Sequence, residues 1–291
     1  MPGFFNKRML LILLDTVKDA IMKKSRPVVS DRSLHIPPPK HPTPVYTMSL
    51  FFIAAFLLVA PPKTTVYLVS DSTMANKEIK AYPETGWGMP FTYFFDSTII
   101  VDNRAKNGRS TKSFIAEGLW QPVADNLKEG DYVLVQFGHN DEVPTKKTYT
   151  TEEEFRAYLL RYITETRAKK AIPVLITPVA RRQFDSSGHV KESHPVYAGL
   201  VREVAQQQHV PLIDLDEKSK ALLAQFGPEN SKWLYNYLQP DEHPNYPGGH
   251  KDDTHFSELG ARKMAELVLA EIKAQHLGLE AHLHAPMPEK K

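Results

Sequence analysis

The feature that most constrains the fold is an alternation of strand-like and helix-like runs that begins near Lys63. Short runs rich in β-branched and aromatic residues predict buried strands at Thr65–Val69, Thr98–Val101, Tyr132–Phe137, Ile172–Thr177 and Pro211–Asp214. Strands that alternate with helices indicate βαβ units and therefore an α/β fold with a mostly parallel sheet. Because the crossovers in such a sheet are right-handed, we expect the loops that follow the strands to share one edge.

Three longer runs predict helices between or after these strands. Thr151 and Glu154 have the spacing of a capping box before a helix that continues to about Lys170. A second helix is expected over residues 196–208. The last is expected from Ser257, a suitable N-cap, to about Lys273, with one apolar face packed on the core.

The two ends of the chain differ from this pattern. Residues 1–47 contain a proline-rich stretch and predict a poorly ordered extension, which is not translated if synthesis starts at Met48. Residues 48–62 contain an apolar run that is short for a bilayer span and resembles the core of a signal peptide. We therefore expect a catalytic domain over 63–275 and a tail over 276–291. Export to the periplasm or the medium is expected if the apolar run is a signal, and a cytoplasmic location if it is not.

Composition excludes several classes of chemistry. The chain has no cysteine, so disulfides, cysteine nucleophiles and thiolate metal sites are ruled out. A net charge of +2 argues against a dedicated nucleic-acid-binding protein.

Polar residues follow the first predicted strand directly, as Ser70-Asp71-Ser72-Thr73. A serine just past the carboxyl end of a strand lies where open α/β sheets bind ligands. Ser72 is therefore a candidate nucleophile, provided that a histidine reaches it and backbone N–H groups face the reacting oxygen. The alternative is that these side chains only cap a following helix.

Two further polar clusters follow predicted strands. Asn107-Gly108-Arg109 comes after the second, and a glycine there lets the backbone approach a ligand. Gly138-His139-Asn140-Asp141 comes after the third, and the Asn140 amide is a suitable oxyanion donor. For both clusters the alternative is an ordinary turn.

A fourth polar loop, residues 251–257, precedes the last helix and contains Asp252 and His255. In a turn or a helix, that spacing brings both side chains to one side, so the carboxylate can orient the imidazole as a general base. The alternatives are a solvated turn and a metal site formed with His243 and His250, although this spacing matches no familiar zinc pattern.

The four polar clusters, in this order, resemble the four sequence blocks of the SGNH (GDSL-type) hydrolases. Longer phrases are similar to the rhamnogalacturonan acetylesterase branch, whose members deacetylate plant cell-wall polysaccharides. These phrases cover residues 84–89, 136–141, 177–184, 246–249 and 253–257.

The resemblance implies a flavodoxin-like, three-layer α/β/α sandwich and an esterase without a metal or organic cofactor. It makes Ser72 the nucleophile, His255 the base and Asp252 its orienting partner. The oxyanion hole would consist of the backbone N–H groups of Ser72 and Gly108 and the side chain of Asn140. The family usually has glycine where this chain has Ser70, whose Cβ is expected to crowd the turn.

The expected partner is an acetylated pectin-like or xylan-like polysaccharide, bound by a monomer with no nucleic acid and no stable membrane span. Trp87 and Tyr246 are candidates to stack on a sugar ring, with a place in the core as the alternative. Arg109 is a candidate to contact acidic sugars, with a solvated surface position as the alternative. A lipase, thioesterase or acyltransferase on the same fold, and a catalytically idle carbohydrate-binding protein, are the competing functions.

Overall fold

The computed structural model describes residues 63–284. The predicted segments 1–47 and 48–62 therefore lie outside the described residues, as do residues 285–291 of the expected tail. None of the helices in the described part of the chain is long and apolar enough to cross a membrane.

A five-stranded parallel sheet forms the centre of the domain, with the strand order β2-β1-β3-β4-β5. Its members are β1 (Thr64–Ser70), β2 (Ile99–Asn103), β3 (Tyr132–Gln136), β4 (Ile172–Ile176) and β5 (Leu212–Ile213). This confirms the predicted α/β class and each of the five predicted strands, although β5 is only two residues long.

Seven α-helices surround the sheet within residues 63–284. They are α1 (Gly88–Phe91), α2 (Thr111–Ala116), α3 (Gln121–Asn126), α4 (Glu152–Ala168), α5 (Tyr197–Gln208), α6 (Leu215–Asn230) and α7 (Glu258–Ala274). Short 3₁₀ turns occur at Ile79–Ala81, Thr92–Phe94, Ser231–Leu234 and Leu279–His282. The predicted caps are present: Thr151 and Glu154 form a reciprocal capping box, and the Ser257 hydroxyl accepts from Gly260 N–H. Only α6 is irregular, because Gly227 has a non-helical backbone.

Side chains of β1 alternate between two separate apolar layers. Val66 and Leu68 belong to the cluster that contains residues of α7, such as Met264 and Val268. Tyr67 and Val69 belong to the opposite cluster, which contains Phe155 and Leu159 of α4. A strand that is buried on both faces requires helices on both sides, so the fold is a three-layer α/β/α sandwich.

The segment predicted as a fourth polar loop is instead a strand. β6 (Tyr235–Leu238) and β7 (His250–Phe256) form a two-stranded antiparallel sheet. The expectation of a loop was wrong because β7 is polar along most of its length and owes its extended form to pairing with β6, a contact that local patterning does not reveal.

The chain after α7 continues to pack against the domain, past the expected end at residue 275. Leu279 is almost completely buried, and Leu283 pairs with Phe95. The hydroxyl of Tyr132 donates to the Leu277 carbonyl. The packed domain therefore extends through His284.

Candidate active site

Ser72 lies two residues past the end of β1, in a tight turn. The Asp71 carbonyl accepts from the N–H groups of Met74 (3.4 Å) and Ala75 (3.1 Å). The Asp71 carboxylate is buried and accepts from the N–H and the hydroxyl of Thr73, at 2.9 and 2.8 Å. No helix begins here, since the next one in the described chain is the 3₁₀ turn at Ile79–Ala81. The helix-capping alternative for this cluster is therefore wrong, and the turn leaves Ser72 partly exposed.

Ser70, where the related family usually has glycine, fits the sheet without distortion. It is the last residue of β1, pairs with Gln136 of β3 and donates its hydroxyl to the Gln136 carbonyl. It is not among the residues with positive φ. The expected crowding by its Cβ is absent because the side chain points into the β1–β3 pairing and not into the turn.

A bulge in β7 brings Asp252 and His255 to the same side. Tyr235 pairs with Phe256 and Tyr237 pairs with Lys251, so two steps along β6 correspond to five along β7. The extra residues leave the ladder, as in a large β-bulge. Within it, the Asp252 Oδ1 atom accepts from the N–H groups of Thr254 (2.7 Å) and His255 (3.0 Å). The three-residue spacing predicted this proximity correctly, but its basis is a bulge and not a helical turn.

Ser72, His255 and Asp252 form a continuous chain of hydrogen bonds. His255 Nδ1 lies 2.7 Å from Asp252 Oδ2, and His255 Nε2 lies 2.8 Å from Ser72 Oγ. A neutral imidazole with its proton on Nδ1 donates to the carboxylate and accepts the Ser72 hydroxyl proton. This is the geometry of a serine nucleophile with an oriented general base.

The charge of Asp252 is held by its surroundings. Burial raises the pKa of this carboxyl, but the hydrogen bond and charge of His255, together with the two backbone N–H donors, outweigh burial and hold the pKa well below 3.8. Asp252 is therefore ionised throughout the neutral range, and its carboxylate faces the imidazole of His255 as an anion.

Three candidate oxyanion donors lie in the loops that follow the adjacent strands β1, β2 and β3. Among the described residues, the N–H groups of Ser72 and Gly108 have no acceptor. The Asn140 amide donates one hydrogen to the Arg109 carbonyl (3.0 Å), while Lys146 Nζ binds its oxygen (2.9 Å). The second amide hydrogen of Asn140 is left for a ligand. These contacts fix which way the amide faces.

Two positions in these loops require glycine because of their backbone conformation. Gly108 has φ +76°, and a Cβ there would meet nothing within 4 Å, so conformation alone favours glycine. Gly138 has φ +148°, and a Cβ there would lie 2.8 Å from Pro178. The loop after β3 therefore turns sharply and brings Asn140 toward the Gly108 loop.

Of the residues considered for substrate binding, Trp87 lies in the core and not at the surface. Its ring is completely buried, and its Nε1 donates to Gln136 Oε1 at 2.8 Å. A side chain with no exposed surface cannot stack on a sugar, so the expectation for Trp87 was wrong. Tyr246 is partly exposed, with its ring 4.6 Å from that of His250, and the Arg109 guanidinium pairs with Glu117 at 2.7 Å.

Further residues support the site through contacts that the sequence did not indicate. Arg181 donates to the Thr254 hydroxyl (2.7 Å), and Arg182 donates to Asp253 (2.7 Å), so both cations brace the β7 bulge. Asp141 holds Thr111, the first residue of α2, through both its N–H and its hydroxyl. These contacts join segments far apart in the chain, and spacing alone could not reveal them.

The metal alternative finds no support in the described residues, where no three His, Asp or Glu side chains are placed to hold a cation. His250 Nε2 lies 3.7 Å from Asp252 Oδ2, beside the Ser72–His255–Asp252 chain.

Comparison with known proteins agrees with this geometry. The model of the GDSL-like lipase/acylhydrolase family matches residues 71–263. Rhamnogalacturonan acetylesterase RhgT of Bacillus subtilis (strain 168) is 42% identical over 219 residues, which cover 75% of this chain and 93% of the relative. The probable rhamnogalacturonan acetylesterase YesY of the same organism is 37% identical over 220 residues, covering 74% and 94%.

Solved structures share the fold. The crystal structure of YxiM from Bacillus subtilis has a TM-score of 0.65 and 28% identity, and the match covers 75% of this chain but only 58% of that one. The acetylxylan esterase Axe2 of Geobacillus stearothermophilus has a TM-score of 0.53 at 17% identity, covering 72% and 94%, which supports the fold alone. On the family model and the two related sequences together, the chain belongs to the GDSL-like lipase/acylhydrolase family, as a carboxylic ester hydrolase of the rhamnogalacturonan acetylesterase-like branch.

Proposed function

We propose that this protein is a serine esterase that removes O-acetyl groups from acetylated plant cell-wall polysaccharide, of the rhamnogalacturonan or xylan type. The observation that carries the proposal is the hydrogen-bonded chain from Ser72 through His255 to Asp252. We propose that the Ser72 and Gly108 N–H groups and the Asn140 amide bind the oxyanion. The substrate class is supported by relatives named as rhamnogalacturonan acetylesterases.

The reaction begins with attack of Ser72 Oγ on the acetyl carbonyl carbon, while the hydroxyl proton passes to His255 Nε2. When the tetrahedral intermediate collapses, the bond between the carbonyl carbon and the sugar oxygen breaks, and that oxygen takes the proton from His255. Water then attacks the acetyl-serine and gives a proton to His255, and acetate leaves as Ser72 recovers its proton. Asp252 stays ionised and stabilises the imidazolium in each half-reaction.

The oxyanion is stabilised by donors that are in place before the reaction. The Ser72 and Gly108 N–H groups and the Asn140 amide belong to loops that follow β1, β2 and β3, three adjacent strands of the sheet. Because the sheet and the loop contacts hold these donors, little reorganisation is needed as negative charge develops.

Open access to the site suits a polymeric substrate. Ser72 and His255 are both partly exposed, as are Tyr246 and His250, whose rings adjoin each other beside Asp252. We propose that Tyr246 contacts a sugar of the bound chain and that Arg109 contributes a weak contact, since Glu117 already offsets its charge.

The test is acetate release from acetylated rhamnogalacturonan and acetylated xylan by the wild type and by Ser72→Ala. Among the described residues the Ser72 hydroxyl has His255 as its one hydrogen-bond partner, so its removal should spare the fold while abolishing turnover. Ser187→Ala, at an exposed loop position, is the matched control and should behave as the wild type. Full activity of Ser72→Ala would refute the mechanism.

Three further measurements test the mechanism and separate the competing functions. A preference for 4-nitrophenyl acetate over long-chain esters is expected, and a preference for long chains would instead indicate a lipase or thioesterase. Activity should also fall in acid, because a protonated His255 cannot accept the Ser72 proton. Binding of polysaccharide without acetate release would indicate an idle binding protein.

We also propose that the protein is exported and acts as a monomer. A cell-wall polymer lies outside the cell that degrades it, and the apolar run within residues 48–62 has the length of a signal-peptide core. Mass spectrometry of the mature N-terminus tests export, and a cytoplasmic chain beginning at Met1 would overturn it. Light scattering of the purified protein tests the monomer.

A further inference from the structure

A buried lysine lies directly against the turn that carries Ser72, and the mechanism above gives it no role. The side chain of Lys77 has no exposed surface. Its Nζ lies 2.6 Å from the Ser72 carbonyl oxygen, 2.6 Å from Glu84 Oε1 and 3.1 Å from Asn107 Oδ1. An ammonium group has three N–H donors, so each of the three oxygens can receive one.

Two of these three partners belong to the segments that supply backbone donors to the oxyanion. Ser72 carries one of the donors itself, and Asn107 immediately precedes Gly108, which carries the other. Lys77 therefore connects the nucleophile turn to the Gly108 loop through a single charged group. Hydrogen bonds to an ammonium are shorter and stronger than those between neutral groups, so the connection is stiff.

The backbone ties this loop to β1 only as far as residue 106, and one further backbone bond, from the Arg109 N–H to the Lys106 carbonyl (3.3 Å), closes the turn around Asn107 and Gly108. The Lys106 N–H donates to the Ser70 carbonyl at 3.0 Å, which ties the start of the loop to β1. Asn107 and Gly108 then turn outward, both exposed, with Gly108 in the left-handed region. On one side Asn140 holds the following Arg109 carbonyl, and on the other side Lys77 holds Asn107.

Stabilisation of the fold does not by itself account for a lysine at this position. Burying an ammonium and a carboxylate carries a large desolvation cost, and replacing such a pair by neutral groups of similar volume is often harmless to stability. Glu84, whose side chain is only 14% exposed, offsets the charge of Lys77. What a neutral pair could not supply is a strong donor to both the Ser72 carbonyl and Asn107.

We propose that Lys77 is a positioning residue that holds the Ser72 and Gly108 N–H groups at a fixed separation, and so sets the geometry of the oxyanion hole. Glu84 offsets the charge of Lys77, and the hydrogen bond from Lys77 to Asn107 connects it to the Gly108 loop. The inference rests on the proposed function, because it concerns the site where acetyl transfer takes place.

The test compares Glu84→Gln with the double variant Lys77→Met/Glu84→Gln, which leaves no unpaired charge in the core. Turnover of 4-nitrophenyl acetate gives kcat and KM, and urea unfolding shows whether each variant is folded. We expect kcat to fall about 10- to 100-fold on loss of Lys77, with KM within about twofold. That is less than the roughly 100- to 1,000-fold cost of deleting an oxyanion donor, because the donors are displaced and not removed.

An exposed residue gives a second test that does not depend on a change in the core. Asn107→Ala removes the oxygen that accepts from Lys77 at the surface. It should lower kcat several-fold without changing the unfolding midpoint. The same change made in the Lys77→Met/Glu84→Gln background should have no further effect, since its partner is already absent.

Two controls make the outcomes distinct. Lys170→Met removes an exposed lysine that pairs with Glu129 at 3.0 Å, and it should leave kcat unchanged. Ser72→Ala, assayed in parallel, reports on the proposed function alone: if it retains activity, that function fails whatever Lys77 does. A folded Lys77→Met/Glu84→Gln protein with kcat within twofold of Glu84→Gln would overturn the positioning role. An Asn107→Ala protein with unchanged kcat, or additive effects of the two changes, would also overturn it.

Discussion

Asp141 is expected to make the stability of this protein strongly dependent on pH. Its carboxylate is completely buried, and Oδ1 accepts from the Thr111 N–H (2.9 Å), the Thr111 hydroxyl (2.6 Å) and the Thr150 hydroxyl (3.2 Å). Oδ2 has no partner among the described residues. Burial outweighs these three donors and raises the pKa of Asp141 from 3.8 to about 7.

The sign and size of the effect follow from this difference in pKa. At pH values below about 4 the carboxyl is protonated in both the folded and the unfolded chain, and burial is not penalised. As pH rises from about 4 to 7 the unfolded chain loses its proton while the folded chain keeps it, so the free energy of unfolding falls. A difference of about three pH units corresponds to roughly 4 kcal/mol, at about 1.4 kcal/mol per unit.

Asp141→Asn removes the titration while it keeps an oxygen that can accept the three hydrogen bonds. The amide nitrogen then lies buried where Oδ2 was, which costs about 1–3 kcal/mol at every pH. The informative quantity is therefore the change in unfolding free energy with pH. Between pH 4 and 8 the wild type should lose about 4 kcal/mol more than the variant, as measured by urea unfolding at intervals of half a pH unit.

Titrating groups that do not interact with Asp141, such as Asp252, are present in both proteins and cancel in this difference. Asp125→Asn, which changes an exposed carboxylate near the surface of α3, is the matched control and should run parallel to the wild type. If the Asp141→Asn and wild-type curves are parallel between pH 4 and 8, the argument that burial controls this carboxyl is refuted.

Three other substitutions give expected outcomes of different kinds. Asp252→Asn should lower kcat on the order of 100- to 10,000-fold with little change in KM, since His255 loses its orienting carboxylate; an unchanged kcat on 4-nitrophenyl acetate would contradict the assigned role. Asn140→Ala should lower kcat on the order of 100- to 1,000-fold in a folded protein, and a rise in KM alone would count against an oxyanion donor. Gly260→Ala should destabilise the fold by about 3 kcal/mol or more in urea unfolding, because its Cβ would lie 1.7 Å from the Leu234 carbonyl oxygen; normal stability would show that α7 can shift.

The sequence predicted the sheet well because its signals are local. The inner strands β1, β3 and β4 are short, mostly apolar runs bounded by polar residues, and burial on both faces is what produces such runs. The N-caps of α4 and α7 could also be predicted from the sequence, since a capping side chain and the N–H that it binds lie within three residues of each other. The order of the polar clusters along the chain was also sufficient to predict which strand edge carries the site.

The sequence alone did not reveal contacts between distant segments. β7 is polar and was interpreted as a loop, because only its pairing with β6 makes it extended. Trp87 has an aromatic ring of the kind that stacks on sugars, but it lies in the core. There its ring N–H donates a hydrogen bond to Gln136, a residue of β3. Local pattern carries no information about either partner.

Ser72, His255 and Asp252 show the same difference between what local sequence signals predict and what contacts between distant segments decide. The sequence by itself determined which side chains could do the chemistry, since their types and order are written in the chain. Only the tertiary structure decided their distances, because a bulge in β7 sets Asp252 and His255 on one side and the β1 turn brings Ser72 to within 2.8 Å of the imidazole. The physical reason is that the identity of each side chain is a property of the chain itself. The distance between two residues 183 positions apart depends instead on how the sheet, the bulge and the turn pack together.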